Sequence, residues 1–381
     1  MDPRAVYEEL TEGLTRPIRV SELVYAAAER APGQLPTRAQ MDAERALPQR
    51  DKAGLEIIQG EFLARVLADE RTGAHLVHCM ARPTEAAIEL LGQFRRTGAV
   101  DLGPMRVDRD GALGIVTNQN HGCLNAEDDA STAAMEVAVD LVLLDDDIEV
   151  GVLRGAPAIH PKHAGRRIFG AGINLTALYR GQISLVEFMI ARELGPVHKM
   201  FRGHPLGEPG DGDLEPRREK PWIAAVESFA IGGACQWLLV ADRVISRRDA
   251  YFNLPARKEG IIPGCANLRL PRLVGERATR QAVFFNRDFA ADDPEGRLIA
   301  DRLVDSESEM DAAIVIDAAE LRSAGPASLL ANRRQLRLTQ EPVDLFRRYM
   351  AGYAVEQARC LYAPALIDNL ERHWNARARV A

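Results

Sequence analysis

Residues 220–242 read KPWIAAVESFAIGGACQWLLVAD, and the rest of the chain is arranged around them. A short apolar, β-prone run at 222–226 leads through Gly232 and Gly233 into an apolar helical run at 235–241. The order strand, glycine turn, helix gathers backbone N–H groups and the positive end of a new helix at one spot. An oxyanion is a fitting guest for such a spot. Two glycines at a strand–helix junction also serve as an ordinary tight turn, so the motif needs a companion. Residues 169–175, FGAGINL, supply one: a second apolar-to-glycine turn entering a helix, after a strand-like run at 149–153.

The chain has 381 residues, enough for one large domain or two modest ones with a substantial core. A formal charge of −7 argues against a nucleic-acid or polyanion surface. There is no apolar run of membrane-spanning length, and the N-terminus, MDPRAVYEEL, is acidic without a signal-peptide core. The five cysteines are odd in number, scattered and without CxxC spacing, which predicts a reduced, cytoplasmic protein.

Three stretches differ in pattern. Residues 1–99 read as a helical domain, with apolar residues recurring at helical spacing in Leu55, Ile58, Phe62 and Val66 and again in Ala86, Ile88, Leu91 and Phe94. His75, His78 and Cys79 invite a metal reading but have no partner cluster, so satisfied or surface histidines are expected. Residues 100–300 alternate strands and helices: a strand at 113–118, a helix at 128–145, a strand at 149–153. That alternation predicts an α/β core. A polar Gly/Pro loop, EPGDGDLEPRRE, spans 208–219. Residues 301–381 return to helices at 310–323, 326–338 and 343–357.

The run KPWIAAVESFAIGGACQ resembles the signature of the crotonase (enoyl-CoA hydratase) superfamily, and FGAGIN resembles a second motif of that family. The segment 122–126 and the run Gly260-Ile261-Ile262-Pro263-Gly264 follow in the same order. The likeness spans roughly residues 105–300 and implies a ββα spiral core, here with an N-terminal helical extension and C-terminal helices. It implies two backbone N–H groups that hold a thioester oxygen as an enolate, those of Ile173 and Gly233. The spelling GGAC keeps Ala234 open as the second donor. It also implies that the C-terminal helices pack over the site and form trimer contacts.

Two departures change the expected chemistry. Hydratases of this family use two glutamates as acid and base. Here one position is Gln236, and the other, after Leu254-Pro255, is Ala256. An amide and a methyl group cannot exchange protons near neutrality, so water addition is not expected, while enolate formation on an acyl-CoA is. Arg192 falls on an apolar stripe with Leu185, Phe188 and Met189, where a guanidinium requires an anion or polar ligand, an internal salt bridge, or an escape to solvent. Glu127 stands at a helix start, as a dipole partner or as a site residue.

The whole chain is similar to a cofactor-free branch of the superfamily that oxygenates 3,5-dihydroxyphenylacetyl-CoA with O2. That similarity implies ring-hydroxyl binding by Glu127 and Arg192, an oxyanion hole at Ile173 and Gly233, polar support from Gln236, and an apolar oxygen pocket at Ile262 and Pro263. Neither metal nor organic cofactor is implied, and the partners are the acyl-CoA, O2 and further copies of the chain. Lys162, Arg166 and Arg167 in HPKHAGRR, 160–167, meet CoA phosphates or form a solvated basic loop; a histidine metal pair there is disfavoured. A hydrolase or decarboxylase that ignores O2, and a non-catalytic subunit, are the competing readings.

Overall fold

A computed structural model describes residues 1–209, 212–323 and 325–380. Residues 210 and 211 of the predicted polar loop therefore lie outside the described residues.

The strand Trp222–Val226 sits inside a seven-stranded sheet and is buried along its whole length. Its neighbours are Val150–Gly155 and Arg243–Arg247, both parallel to it. Outward from the first of these lie Leu113–Asn118, also parallel, then Met105–Asp110 and Ala99–Asp101, both antiparallel. Arg302–Val304 closes the other edge. A strand covered on both faces must be apolar throughout, and alternation divides its side chains between two cores. Trp222, Ala224 and Val226 join the large cluster with the helix Asp129–Leu144. Ile223 and Ala225 join a smaller one under the helix Glu307–Ser323. Gly151 is the cross-strand partner of Trp222, and a Cβ there would come within 2.4 Å of the indole.

Between that central strand and Gly232 the chain makes a second short strand, Phe229–Ile231, which the sequence pattern did not separate from the turn. It pairs in parallel with Tyr251–Asn253, which in turn pairs with Phe289–Ala290. This small sheet carries the glycine turn away from the main one.

A third core is wholly helical. Helices Pro3–Leu10, Val20–Arg30, Leu55–Ala68 and Glu70–Ala81 from the N-terminal stretch pack with Val343–Leu361 and Pro364–Trp374 from the C-terminal one. The buried apolar residues between Ile173 and Leu194, together with Ile261, belong to the same cluster. The close crossing of Leu55–Ala68 with Val343–Leu361 depends on Gly60, where a Cβ would lie 2.6 Å from the Ala354 carbonyl. The apolar stripes run differently from the expected ones. Phe62, Val66 and Phe94 are buried, but Ile58 and Ile88 face solvent, and Ala87 rather than Ala86 points inward. In the helix Glu85–Thr97 the inward set is Ala87, Leu90, Leu91 and Phe94, which keeps Leu91 and Phe94 of the expected stripe and replaces Ala86 and Ile88.

His75 and His78 each find a partner within the protein through Nδ1. Nδ1 of His75 lies 2.7 Å from the Tyr7 hydroxyl, and Nδ1 of His78 lies 3.2 Å from Glu215.

Candidate active site

The two glycine turns face each other. Gly172 has φ +81° and Gly232 φ +54°, conformations that favour glycine. A Cβ on Gly172 would lie 2.9 Å from the Ile231 carbonyl, and one on Gly232 3.3 Å from the Gly172 Cα. Only glycines allow this approach, and each turn is followed by the residue whose N–H it presents. Ile173 follows Gly172, and Gly233 opens the helix Gly233–Leu238, a position without an intrahelical acceptor. Both residues line a narrow cavity between the sheet core and the helical core. Its other walls include Glu127, Arg192, Glu193, Gln236, Glu259 and Tyr353, with an apolar side formed by Phe188, Met189, Ile261, Ile262 and Pro263. Ala234 is absent from the lining; its methyl packs towards Gly170 instead.

Arg192 is the centre of the polar side and is buried. Nε donates to Glu127 Oε2 at 2.9 Å, and Nη2 to Glu127 Oε1 at 3.2 Å and to the Gly233 carbonyl at 2.7 Å. Nη1 donates to Glu193 Oε1 at 2.6 Å and to Gln236 Oε1 at 2.9 Å. A guanidinium has five N–H donors, so all are used. Burial opposes its charge, but Glu127 and Glu193 outweigh that and hold its pKa above the ordinary value. Of the three fates open to Arg192 on sequence, the internal ion pair is the one realised. Trp237 adds a hydrogen bond from its indole N–H to Glu127 Oε1, and its ring lies under the guanidinium, 4.8 Å from centroid to Cζ.

Local winding sets this cluster up. Residues 185–190 wind as a π-helix, the segment 193–197 is kinked at Gly195, and Arg192 and Glu193 stand between the two. In a regular α-helix, successive residues diverge by 100° around the axis; here both side chains reach the same cavity and pair with one another. Glu127 precedes the helix Asp129–Leu144, whose N-cap is Asp128, bonded to Ser131. Capping is thus done by its neighbour, and the Glu127 carboxylate turns inward.

The C-terminal helix Val343–Leu361 covers the cavity. Tyr353 lines it, and Gln357 Oε1 accepts the Ile262 N–H at 2.9 Å, fixing the apolar wall. Burial holds the Tyr353 hydroxyl well above its ordinary pKa. Of the predicted site residues, Ile173, Gly233, Gln236, Glu127, Arg192, Ile262 and Pro263 come together here. Lys162, Arg166 and Arg167 do not line the cavity: Arg166 meets Asp249 at 3.3 Å on the surface and Arg167 meets Glu307 at 2.6 Å.

Three lining residues escaped the sequence reading: Glu193, Glu259 and Tyr353. Glu193 had a signal, a second charge beside Arg192 in an otherwise apolar run. Glu259 had one too, three residues after the alanine that replaces a family glutamate. Its carboxyl has no hydrogen-bond or ion-pair partner among the described residues, and burial pushes its pKa up to about 7. Tyr353 had none, being far from every motif.

Residues 216–349 match the family model described as enoyl-CoA hydratase/isomerase. The chain is 48% identical over 366 residues to a (3,5-dihydroxyphenyl)acetyl-CoA 1,2-dioxygenase of Amycolatopsis orientalis, covering 96% of this chain and 82% of the relative. It is 30% identical over 228 residues to a carnitinyl-CoA dehydratase of Salmonella paratyphi A, covering 59% of this chain and 78% of that one. Among solved structures, an enoyl-CoA hydratase from Bacillus halodurans superposes with a TM-score of 0.58 at 17% identity, covering 71% of this chain and 100% of its own.

Proposed function

The chain belongs to the enoyl-CoA hydratase/isomerase (crotonase) family, and from that membership we propose that it is a cofactor-independent dioxygenase. It converts 3,5-dihydroxyphenylacetyl-CoA and O2 to 3,5-dihydroxyphenylglyoxylate and CoA. The observation that carries this reading is the likeness to the dioxygenase relative across both the helical extension and the core. The site supports it, because the paired glycine turns are present while Gln236 and Ala256 stand in place of the hydratase carboxylates.

In this reading the thioester oxygen lies between the N–H groups of Ile173 and Gly233, and the lining supports Gly233 over Ala234 as the second donor. Preorganised donors of this kind favour the enolate over the neutral ester, each contributing about 3 kcal/mol. The enolate is conjugated with the ring and rich enough in electrons to pass one to O2. Recombination of the radical pair forms a Cα–O bond and an α-peroxide. Its terminal oxygen attacks the thioester carbonyl, CoA leaves as the thiolate, and O–O cleavage with loss of the second α-proton gives the α-keto acid. Ile262 and Pro263, with Phe188 and Met189, give O2 a dry approach.

Glu127 accepts the ring hydroxyl, and Arg192 holds that carboxylate, since its own donors are all engaged. Two of the cavity carboxylates share one guanidinium, so their oxygens already accept hydrogen bonds and the set is poorly suited to a cation. Lys162, Arg166 and Arg167 meet the CoA phosphates outside the cavity. We assign the protein to the cytoplasm and to a homo-oligomer of the trimeric kind, a reading supported by the exposed Phe284 and Phe285 at the end of the helix Ala266–Phe285. No helix among the described residues is long and apolar enough to cross a membrane.

An oxygen electrode with 3,5-dihydroxyphenylacetyl-CoA tests the reading. One O2 consumed per CoA released is expected, with both 18O atoms in the arylglyoxylate, one in the ketone and one in the carboxylate. CoA release without O2 uptake would identify a hydrolase instead.

A further inference from the structure

The enolate mechanism needs a base for the α-proton, and the two family glutamates are gone. We propose that Glu259 is that base, a reading that rests on the enolate chemistry assigned to this cavity. It ends the one-turn helix Ala256–Glu259. Residues three apart on a helical turn share a face, so Glu259 offers its carboxyl one turn further along the face where Ala256 has only a methyl group. Pro255, which opens that helical turn, packs beneath the first oxyanion turn: a Cβ on Gly232 would lie 3.9 Å from the proline Cδ. Glu259 therefore lines the same cavity as Ile173, Gly232 and Gly233.

The other carboxylates there are committed. Glu127 and Glu193 both accept hydrogen bonds from Arg192, so their oxygens are already engaged. Glu259 is 7% exposed, and among the described residues no donor or cation meets its carboxyl. Burying a carboxyl without a partner costs stability, which is expected where a reactive group is kept free for substrate. Its elevated pKa, about 7, also matches a base working near neutrality.

The step balances simply. A Glu259 oxygen takes the α-proton, the C–H electron pair becomes the Cα–C π bond, and the negative charge moves to the thioester oxygen between the two N–H groups. Glu259 leaves the step as the neutral acid and returns its proton to the CoA thiolate released at the end of the cycle.

The test separates proton transfer from oxygenation. Under argon in D2O, exchange of the α-hydrogens of 3,5-dihydroxyphenylacetyl-CoA is followed by NMR for the full-length wild type and for Glu259→Gln. The amide should slow exchange by a factor on the order of 10²–10⁴, with ester affinity unchanged within about threefold and Glu259→Asp retaining part of the rate. If Glu259→Gln does not fold, Glu259→Asp decides by the same two readings. Exchange at the wild-type rate in a folded variant, with O2 uptake intact, overturns the assignment and leaves the dioxygenase reading standing. Wild-type exchange that depends on Glu259 without any O2 uptake does the reverse. A wild type that exchanges nothing overturns both.

Discussion

Arg192 grips Glu127 with two donors, Nε to Oε2 at 2.9 Å and Nη2 to Oε1 at 3.2 Å, and both side chains are buried. Neither is free to act alone. The carboxylate is oriented by the guanidinium, and the guanidinium is kept charged in a buried site by Glu127 and Glu193.

Arg192→Ala leaves Glu127 without its cation and Glu193 with only the Arg269 guanidinium, 3.6 Å away. With the dihydroxy substrate the loss in kcat/KM should correspond to about 2–4 kcal/mol, and with phenylacetyl-CoA to much less. Steady-state kinetics on both esters decide it; equal losses would assign Arg192 to structure alone.

Gly233→Ala is a probe from the other side. A Cβ there would sit 2.0 Å from Glu127 Oε2 and 3.2 Å from Arg192 Nη2. The methyl should unseat the Glu127–Arg192 pair while keeping the backbone N–H. We expect kcat/KM with the dihydroxy ester to drop by roughly 10²-fold, the scale of disrupting a buried, hydrogen-bonded charge pair, and ring discrimination to narrow. Wild-type discrimination in this variant would show that the pair does not read the ring.

Arg166→Ala combined with Arg167→Ala should raise the KM for the CoA ester about tenfold or more, with kcat little changed, as befits lost charged hydrogen bonds to phosphate. The corresponding pantetheine thioester, which lacks the nucleotide phosphates, should be indifferent to the change. An unchanged KM for the CoA ester removes these arginines from the binding site.

The contribution of two buried carboxyls to stability should fall as the pH rises. Glu259 and Glu227 both have carboxyls pushed up to about 7, chiefly by burial, and in Glu227 despite its Arg154 partner. The folded chain then holds protons that the unfolded chain releases near pH 4.5. The stabilisation is complete below that value and is lost as pH climbs through about 7. For Glu259 the loss is about 3 kcal/mol. Thermal unfolding of wild type and Glu259→Gln at pH 5 and pH 8 should show the variant gaining a few degrees relative to wild type at the higher pH. A gap that does not move with pH would mean that Glu259 does not titrate in this window.

The strand at the centre, the two glycine turns and the α/β alternation were legible because each writes a local pattern: an apolar run, paired glycines, a change of period. The residues of the polar cluster were legible one by one. Their geometry was not, because the joining of Arg192 to Glu127, Gln236 and the Gly233 carbonyl is a tertiary fact that no spacing encodes. The outward turn of Ile58 and Ile88 was hidden for a related reason: an apolar stripe fixes that a helix packs, while its neighbours fix which side. Tyr353 reaches the cavity only because the last long helix folds back over residues 185–197 and 261–264.

A π-helical turn carries one residue more than the α-helical turn it interrupts, and such turns are often found at functional sites. In the segment that ends at Val197, that surplus is what sets Arg192 and Glu193 side by side in the cavity. The register of this segment is thus itself part of the candidate site. Removing any single residue between 185 and 191 would rewind the turn and swing the guanidinium away from Glu127, so here a deletion is a graver injury than most substitutions. Read in the other direction, one inserted codon is the shortest genetic route from an ordinary helix to this pair of adjoining charges.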